Sequence, residues 1–422
     1  MNVLIIGSGG REHTLAWKIK QSPLLGKLYL APGNGGTTET GENLDVNPTD
    51  FEAIRQVVLN KKIDMVVVGP EQPLVGGIGD YFRQDLVLNR IPLIGPEKAG
   101  ALLEGSKDYA NRFMDKYGIP TARFRSFAAR EMEDAMEYLQ RLEAPYVLKA
   151  DGLAGGKGVV ICQNLDEARQ TLQTFFEGRF GESSKKVVVE EFLEGKELSV
   201  FILTDGRNYK MFPAAKDYKR IGEGDTGPNT GGMGALSPVP YGGEDFMEKV
   251  RHQVIEPTME GLRNERIDYR GFLYFGLMKV GDHPYVIEYN VRMGDPEAQV
   301  VIPRIASDLL EALDAVAHQR LEDYELKISP SAAATVILAS EGYPGKYEKG
   351  QPITLAGGLE DVYVFHAGTE QKDSQLVTSG GRVMAVTALA EHYRNALSTI
   401  YSNIEKIQFE GRYYRRDIGY DV

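Results

Sequence analysis

Short apolar runs that break into glycine constrain the fold of this chain more than any other feature. Val3–Ile6 runs straight into Gly7-Ser8-Gly9-Gly10, and Tyr146–Ala150 runs into a loop holding Gly152, Gly155, Gly156 and Gly158. Runs of this length read as buried strands. Helical spacing over Arg11–Gln21 and Phe51–Leu59 places helices between the strands Val3–Ile6, Lys27–Ala31 and Ile63–Val68. That alternation predicts a parallel sheet with helices on both faces. Glycine accounts for 47 of 422 residues, about 11% against an average of roughly 7%, so its clustering carries information.

The alternation ends near Pro92–Pro96, and a new segment starts near Gly105 with a helix over Lys107–Tyr117. Strands follow at Tyr146–Ala150, Val159–Cys162 and Lys186–Phe192. Asp217–Pro240 reads as a long polar, glycine-rich loop, and loops of that length are usually functional. Tyr269–Val280 and Tyr285–Val291 form a strand pair across the turn Gly281-Asp282-His283-Pro284, and Asp308–Arg320 is a helix. From about Leu326 the pattern is strand-rich (Ala332–Ala339, Val362–Phe365, Arg382–Ala388), then a helix over Leu389–Ile404 and a basic-aromatic tail. That tail, Arg412–Arg416, is expected to be a solvated edge, and Met132 and Met136 to pack in a core.

Composition excludes several classes. With 48 basic and 60 acidic residues the net charge is −12, which disfavours nucleic-acid binding, since that depends on Lys and Arg neutralising phosphate. No apolar run is long enough for a membrane span, and the N-terminus has no basic segment of the kind that opens a signal peptide. The single cysteine, Cys162, makes no internal disulfide and fits a reducing, cytoplasmic location. It also excludes a cysteine zinc site, and the six histidines show no metal spacing.

Five segments carry chemistry. Gly7-Ser8-Gly9-Gly10-Arg11 lies between a strand and a helix, where backbone amides bind phosphate. Glu12 stands where a dinucleotide fingerprint needs its third glycine, so a phosphate site or a plain tight turn remains. His13 faces a phosphate or packs. The second segment, Lys149 through the glycine loop to Val159, lacks the Ser or Thr of a Walker loop. It reads as a flap whose amides and Lys157 cover phosphates, or as an ordinary hairpin with Lys149 in a salt bridge. Either way a buried Lys149 ammonium needs an anion. Third, Val187–Glu191 ends a strand in paired carboxylates, suited to a base edge and ribose or simply a charged strand end. Fourth, period-two alternation puts Glu288, Asn290 and Arg292 on one face and Ile287, Tyr289 and Val291 on the other. An oxygen-rich pair suits Mg²⁺, and Arg292 can clamp a phosphoryl group or carboxylate; the plain alternative is a half-exposed strand with a surface ion pair. Fifth, Asp217-Tyr218-Lys219-Arg220 and Asp225–Gly234 combine charge, hydroxyls and flexible backbone, which fits recognition of a small polar substrate or else a disordered surface loop.

Together these segments resemble the ATP-grasp superfamily and, within it, the phosphoribosylamine–glycine ligase family. The resemblance runs over essentially the whole chain: GSGGREH at 7–13, APGNGGT at 31–37, VVGPEQPLVGGI at 67–78, EGSK at 104–107, LKADGLAGGKGVV at 148–160, EEFLEGKE at 190–197, DTGPNTGGMGALSP at 225–238 and RMGDPEAQ at 292–299. Met293 replaces the family's usual Phe and Gly155 its usual Ala; neither change involves charge.

The resemblance implies an α/β fold. An N-terminal parallel, Rossmann-like domain (1–103) precedes a two-lobed ATP-grasp core (104–325, flap about 122–192) and a C-terminal strand-rich α+β domain (326–422). It implies ATP-dependent joining of glycine to 5-phosphoribosylamine through glycyl phosphate, in purine biosynthesis. Lys107, Lys149, Gly155, Gly156, Lys157 and Gly158 would hold the nucleotide's phosphates, and Glu190, Glu191 and Leu193 its base, with Glu197 on the ribose. Glu288 and Asn290 would hold Mg²⁺ or Mn²⁺. Since Phe272–Met278 has no acid, a second metal would need Asp217, Glu297 or substrate oxygens, and one protein-defined site is expected. Arg292, Lys149 and Asp295 are the catalytic candidates. Gly7, Ser8, Gly9, Gly10 and Arg11 are assigned to the ribose 5-phosphate. Asp217, Lys219, Thr226, Asn229, Thr230, Gly231, Gly232, Met233, Arg292, Gly294 and Asp295 are assigned to glycine and the amine. The unstable amine invites transient hand-over partners in the purine pathway. Competing readings are another ATP-grasp ligase or carboxylase, against which the DTGPNTGGMG segment speaks, and a non-catalytic nucleotide sensor, against which Glu288, Asn290, Arg292 and Lys149 speak. A dehydrogenase is disfavoured by Glu12.

Overall fold

The computed structural model describes residues 1–154 and 158–422. Gly155, Gly156 and Lys157, expected in the flap, lie outside the described residues.

The N-terminal sheet has five parallel strands in the order Glu42–Asn43, Lys27–Pro32, Asn2–Gly7, Met65–Val68, Leu93–Ile94. Leu4 and Ile6 point into one apolar core and Val3 and Ile5 into another, so the sheet is covered on both faces as the apolar runs require. The first helix is Gly10–Ile19. It starts one residue before the spacing suggests because Glu12 reaches back to the Gly9 amide at 2.6 Å, satisfying a donor the helix cannot.

Two antiparallel four-stranded sheets follow. In the first, the order is Phe124–Ala128, Lys186–Glu191, Tyr146–Ala150, Val159–Cys162. Helices Met132–Arg141 and Leu165–Phe176 pack on it around Phe127, Leu139, Leu148 and Phe175, with Met132 and Met136 at the margin. In the second, Tyr209–Met211, Lys196–Thr204, Gly271–Val280 and His283–Asn290 lie side by side. Leu273 and Tyr289 from this sheet share a core with Leu4 and Ile6, so it is welded to the N-terminal sheet.

The structure corrects four details of the sequence reading. Val280 pairs with His283, so the expected four-residue turn tightens to Gly281-Asp282, with Gly281 at φ 57°. The stretch Asp217–Pro240 is not a plain loop. It holds strands Lys216–Asp217, Arg220–Gly222, Thr226–Asn229 and Gly234–Ser237. The helix expected over Leu389–Ile404 begins at Tyr393 because the strand Arg382–Ala390 runs through its first residues. The tail is no solvated edge, since Arg415 is fully buried.

The C-terminal sheet runs Lys216–Asp217, Gly234–Ser237, Ala332–Ser340, Arg382–Ala390, Tyr363–His366. Its first two strands come from the middle of the chain. No helix of the described residues is long and apolar enough to cross a membrane.

Candidate active site

A cleft of about 1100 Å³ lies between the two antiparallel sheets and the N-terminal domain. Its wall is the end of the strand His283–Asn290. A β-bulge interrupts the ladder there: Glu288 faces Gly276 while Val286 faces Leu277. The bulge takes Ile287 off the face it was expected to share with Tyr289 and Val291. Those two are buried in the core with Val286, Tyr289 also reaching the cleft, whereas Ile287 is only half-buried and lines the cleft outside that core. Beyond the bulge the alternation resumes. Asn290 Nδ2 lies 3.4 Å from Glu288 Oε1, and Arg292 Nη2 donates to Asn290 Oδ1 at 2.9 Å.

Arg292 is held from behind. Its Nη2 donates to Glu104 Oε1 at 2.7 Å, and Nε lies 3.5 Å from Glu71 Oε2. Burial works to lower the guanidinium's pKa, but Glu104 and Glu71 outweigh it and the net shift is upward. Arg292 therefore stays a fixed cation facing the cleft.

Glu288 sits among cations. Burial alone would raise its pKa, yet Lys219, Lys149, Lys107 and Arg292 pull it below the ordinary value. An ionised carboxylate beside an amide carbonyl is a hard-oxygen donor set of the kind that takes Mg²⁺ or Mn²⁺ with phosphates completing the shell, so these residues fit such an ion. Among the described residues no cluster of three or more His, Cys, Asp or Glu side chains could hold a metal.

Two lysines line the cleft beside this strand. Lys107 is the first residue of the helix Lys107–Lys116, whose N-cap is Ser106. Its Nζ donates to Gly152 O at 2.6 Å, and burial lowers its pKa. Lys149 finds the anion its burial demands, since Nζ meets Glu190 Oε2 at 2.7 Å and donates to Ile287 O at 2.9 Å. Asn111 holds the other Glu190 oxygen at 2.8 Å. The Glu190 backbone is paired on both sides, to Phe124 and to Val147. Glu190 lines the cleft, and Glu191, Phe192 and Leu193 follow it there as the ladder ends. Gly158 and Glu197 line it too, and Glu197 accepts from Lys219 Nζ at 2.8 Å.

The far end is built from the stretch after Asp217. Burial raises the Asp217 carboxyl to about 8, with Lys219 opposing. Asp217, Lys219, Asn229, Thr230 and Gly231 line the cleft, whereas Thr226, Gly232 and Met233 do not. Thr226 is exposed on a hairpin, where its hydroxyl donates to Glu223 O at 2.9 Å. Met233 is fully buried. Gly232 instead allows a close pass, for a Cβ there would stand 2.4 Å from Pro296 Cδ.

The first glycine turn is partly spent on protein contacts. Glu12 takes the Gly9 amide, and Asp295 Oδ2 takes the Arg11 amide at 3.2 Å. Gly7, with φ +126°, is needed because a Cβ would lie 2.6 Å from Glu12 Cγ. Gly7, Ser8, Gly9 and Arg11 still line the cleft, but Gly10 and Gly294 do not. His13 packs, and its Nδ1 accepts the His366 amide at 2.8 Å. Asp295 is a junction. Gln299 donates to its Oδ1 at 2.9 Å, and Arg382 Nη1 donates to its carbonyl at 2.6 Å.

Sequence reasoning missed Glu104, Glu71, Asn111 and Arg382. Glu104 had a usable signal, a carboxylate directly after the apolar stretch Ala101–Leu103, and Glu71 stood within the VVGPEQPLVGGI segment; Asn111 and Arg382 had none.

Family models for the three parts of one enzyme match the chain in order. They are described as phosphoribosylglycinamide synthetase, N domain over 1–104, ATP-grasp (A) domain over 105–298 and C domain over 333–421. The phosphoribosylamine–glycine ligase of Chlorobaculum tepidum is 48% identical over 427 residues, covering 99% of both chains. That of Pasteurella multocida is 45% identical over 425 residues, covering 100% of this chain and 98% of its own. This chain belongs to the phosphoribosylamine–glycine ligase family. The crystal structure of the Thermotoga maritima phosphoribosylamine–glycine ligase superposes with a TM-score of 0.87 at 37% identity, covering 99% of this chain and 100% of that one. The biotin carboxylase domain of Hydrogenobacter thermophilus 2-oxoglutarate carboxylase shares the fold at a TM-score of 0.71 and 16% identity, covering 98% and 91%. The expected family and the α/β ATP-grasp architecture with its parallel N-terminal sheet are thus found.

Proposed function

We propose that this chain joins glycine to 5-phosphoribosylamine at the expense of ATP, yielding glycinamide ribonucleotide, ADP and phosphate. One observation carries the reading. Lys107, Lys149, Glu288, Asn290 and Arg292 face one cleft with Asp217, Lys219, Asn229, Thr230 and Gly231, so phosphate-binding and acceptor-binding groups meet there.

A carboxylate is a poor electrophile. An oxygen of glycine's carboxylate attacks the γ-phosphorus of ATP, ADP leaves, and glycyl phosphate forms. The amine of phosphoribosylamine then attacks the acyl carbon, losing a proton as phosphate departs. Such transfers rest on positioning and charge neutralisation. Lys107 and Lys149 neutralise phosphate oxygens, and Arg292 faces the charge that develops on the acyl phosphate. Mg²⁺ or Mn²⁺ held by Glu288 and Asn290 would supply further neutralisation of the nucleotide's phosphates. The adenine edge is read at Glu190–Leu193 and the ribose at Glu197. Asp217, with Asn229 and Thr230, takes glycine and the amine, and Ser8 and Gly9 lie toward the ribose 5-phosphate. Asp295 and Arg11 act in this reading by joining the N-terminal turn to the acceptor end. The domain limits follow as 1–103, 104–325 and 326–422, with the flap closing to keep water from glycyl phosphate. A transient hand-over partner in the purine pathway, in the cytoplasm, would deliver the unstable amine.

ADP release is the test, with glycine or freshly generated phosphoribosylamine omitted in turn. ADP formed only with both, and glycinamide ribonucleotide seen by mass, supports the proposal. ATP cleavage with another carboxylate or with bicarbonate, and none with this pair, overturns the substrates while keeping the fold.

A further inference from the structure

The acceptor stretch 217–234 is encoded in the middle of the chain but shaped by the C-terminal part. Asp217 pairs with Ala235, and Gly234 with Val336 of the C-terminal sheet. Two arginines then grip the stretch at its ends. At the base, Arg382 Nη1 donates to Gly231 O at 2.6 Å, Gly232 O at 3.4 Å and Asp295 O at 2.6 Å. A Cβ on Gly231 would stand 2.9 Å from the guanidinium carbon, so glycine is what lets the arginine close in. The Tyr343 hydroxyl accepts the Gly231 amide at 3.0 Å.

At the hairpin, fully buried Arg415 donates from Nη1 to Arg220 O at 3.1 Å and to Asp225 Oδ1 at 2.6 Å. Asp417 holds Arg415 Nε and Nη2, both at 2.8 Å, and also accepts the Gly224 amide at 2.7 Å. Three carbonyls on one guanidinium nitrogen leave little freedom. At Arg415 the planar fork spreads its donors over Arg220 O, Asp225 and both Asp417 oxygens, a set of positions one ammonium cannot span.

We infer that Arg382 and Arg415 are positioning residues for the acceptor substrates: through them the C-terminal domain fixes the shape of 217–234 and so the binding of glycine and the amine, leaving the nucleotide end to Lys107, Lys149 and Glu190. The inference rests on the proposed reading of that stretch as the acceptor site.

The test uses the full chain carrying Arg382→Ala, Arg382→Lys, Arg415→Lys or Tyr343→Phe. Steady-state rates are taken with glycine varied, MgADP affinity is measured by calorimetry, and amide exchange is followed over 218–233. A misplaced acceptor loop lowers kcat/KM for glycine by about 10²-fold in Arg382→Ala, with MgADP affinity within about twofold of the parent. The Thr230 and Met233 amides, which donate to Lys219 O at 2.7 Å and Tyr218 O at 2.8 Å, should exchange faster. Arg382→Lys and Arg415→Lys should recover only part of the rate.

Unchanged kcat/KM for glycine, or an equal loss of MgADP affinity, overturns the inference. Should the arginine variants fail to fold, Tyr343→Phe removes a single hydroxyl and should speed exchange at Gly231; unaltered exchange there also overturns it. Turnover by the unmutated chain tests the reaction separately, and the exchange data read the clamp whether or not glycine is the substrate.

Discussion

The Arg292 guanidinium meets the Glu104 carboxylate at 2.7 Å across 188 residues of sequence. The other Glu104 oxygen takes the Val291 amide at 2.8 Å. One helix residue therefore fixes both the arginine and the backbone that carries it. Removing one partner of a buried ion pair leaves the other charge uncompensated. Glu104→Ala should cost about 3–5 kcal/mol of stability, measured by urea unfolding. The isosteric Glu104→Gln should fold and lower kcat by about tenfold to a hundredfold with little change in KM for ATP. Parent-like kcat in Glu104→Gln would show that Arg292 needs no such support.

Arg292→Lys tests the fork itself. A lysine keeps the charge, but it cannot serve Glu104, Asn290 Oδ1 and a substrate oxygen together in one plane. Loss of a donor aimed at developing charge costs about 10²–10³ in kcat, and Arg292→Lys should fall in that range. Pre-steady-state ADP release would show the loss in the first chemical step. A burst equal to the parent's would move Arg292 away from phosphoryl transfer.

Much of this site was legible in the sequence because it lies on short local patterns. Glu288 and Asn290 are spaced by two at the end of one strand with Arg292 two residues on, and Lys149 closes an apolar run. What was not legible depends on contacts made across the fold. The bulge at Ile287 arises from how two strands meet, and nothing in Val286–Arg292 announces it. Glu190 reads as a strand-end carboxylate, but its sheet places it between two ladders and against Lys149. Arg415 looks solvated in a basic tail until Asp225 and Asp417 are folded onto it. Met233 sits in a motif that resembles a substrate loop, yet its apolar side chain is drawn inward.

Asp217 gives a pH dependence with a definite sign. Burial raises its carboxyl to about 8 in the free protein, so the group is protonated and neutral below that pH and charged above it. A carboxylate that accepts glycine's ammonium must be ionised. The kcat/KM for glycine, which reports the free enzyme, should therefore rise about tenfold per pH unit below about pH 8 and level off above it. Asp217→Asn should lower the plateau and abolish that limb. A limb that persists in Asp217→Asn would assign it to another group.

Gly276 tests whether the bulge places Glu288. It faces Glu288 across the ladder, and a Cβ there would stand 2.8 Å from Glu288 Cγ and 3.6 Å from its carboxyl carbon. Gly276→Ala introduces no charge and removes no donor, but it pushes the carboxylate off its place. Overpacking of this kind costs about 1–3 kcal/mol, a drop that thermal unfolding can follow. Half-saturation by Mg²⁺ should move up by about tenfold or more, because displaced support for a metal ligand typically costs 10–100-fold in affinity. Binding of nucleotide in the presence of EDTA should change little, since Lys107 and Lys149 sit on other elements. Unchanged Mg²⁺ dependence in a folded Gly276→Ala chain would mean that the divalent ion is not held by Glu288.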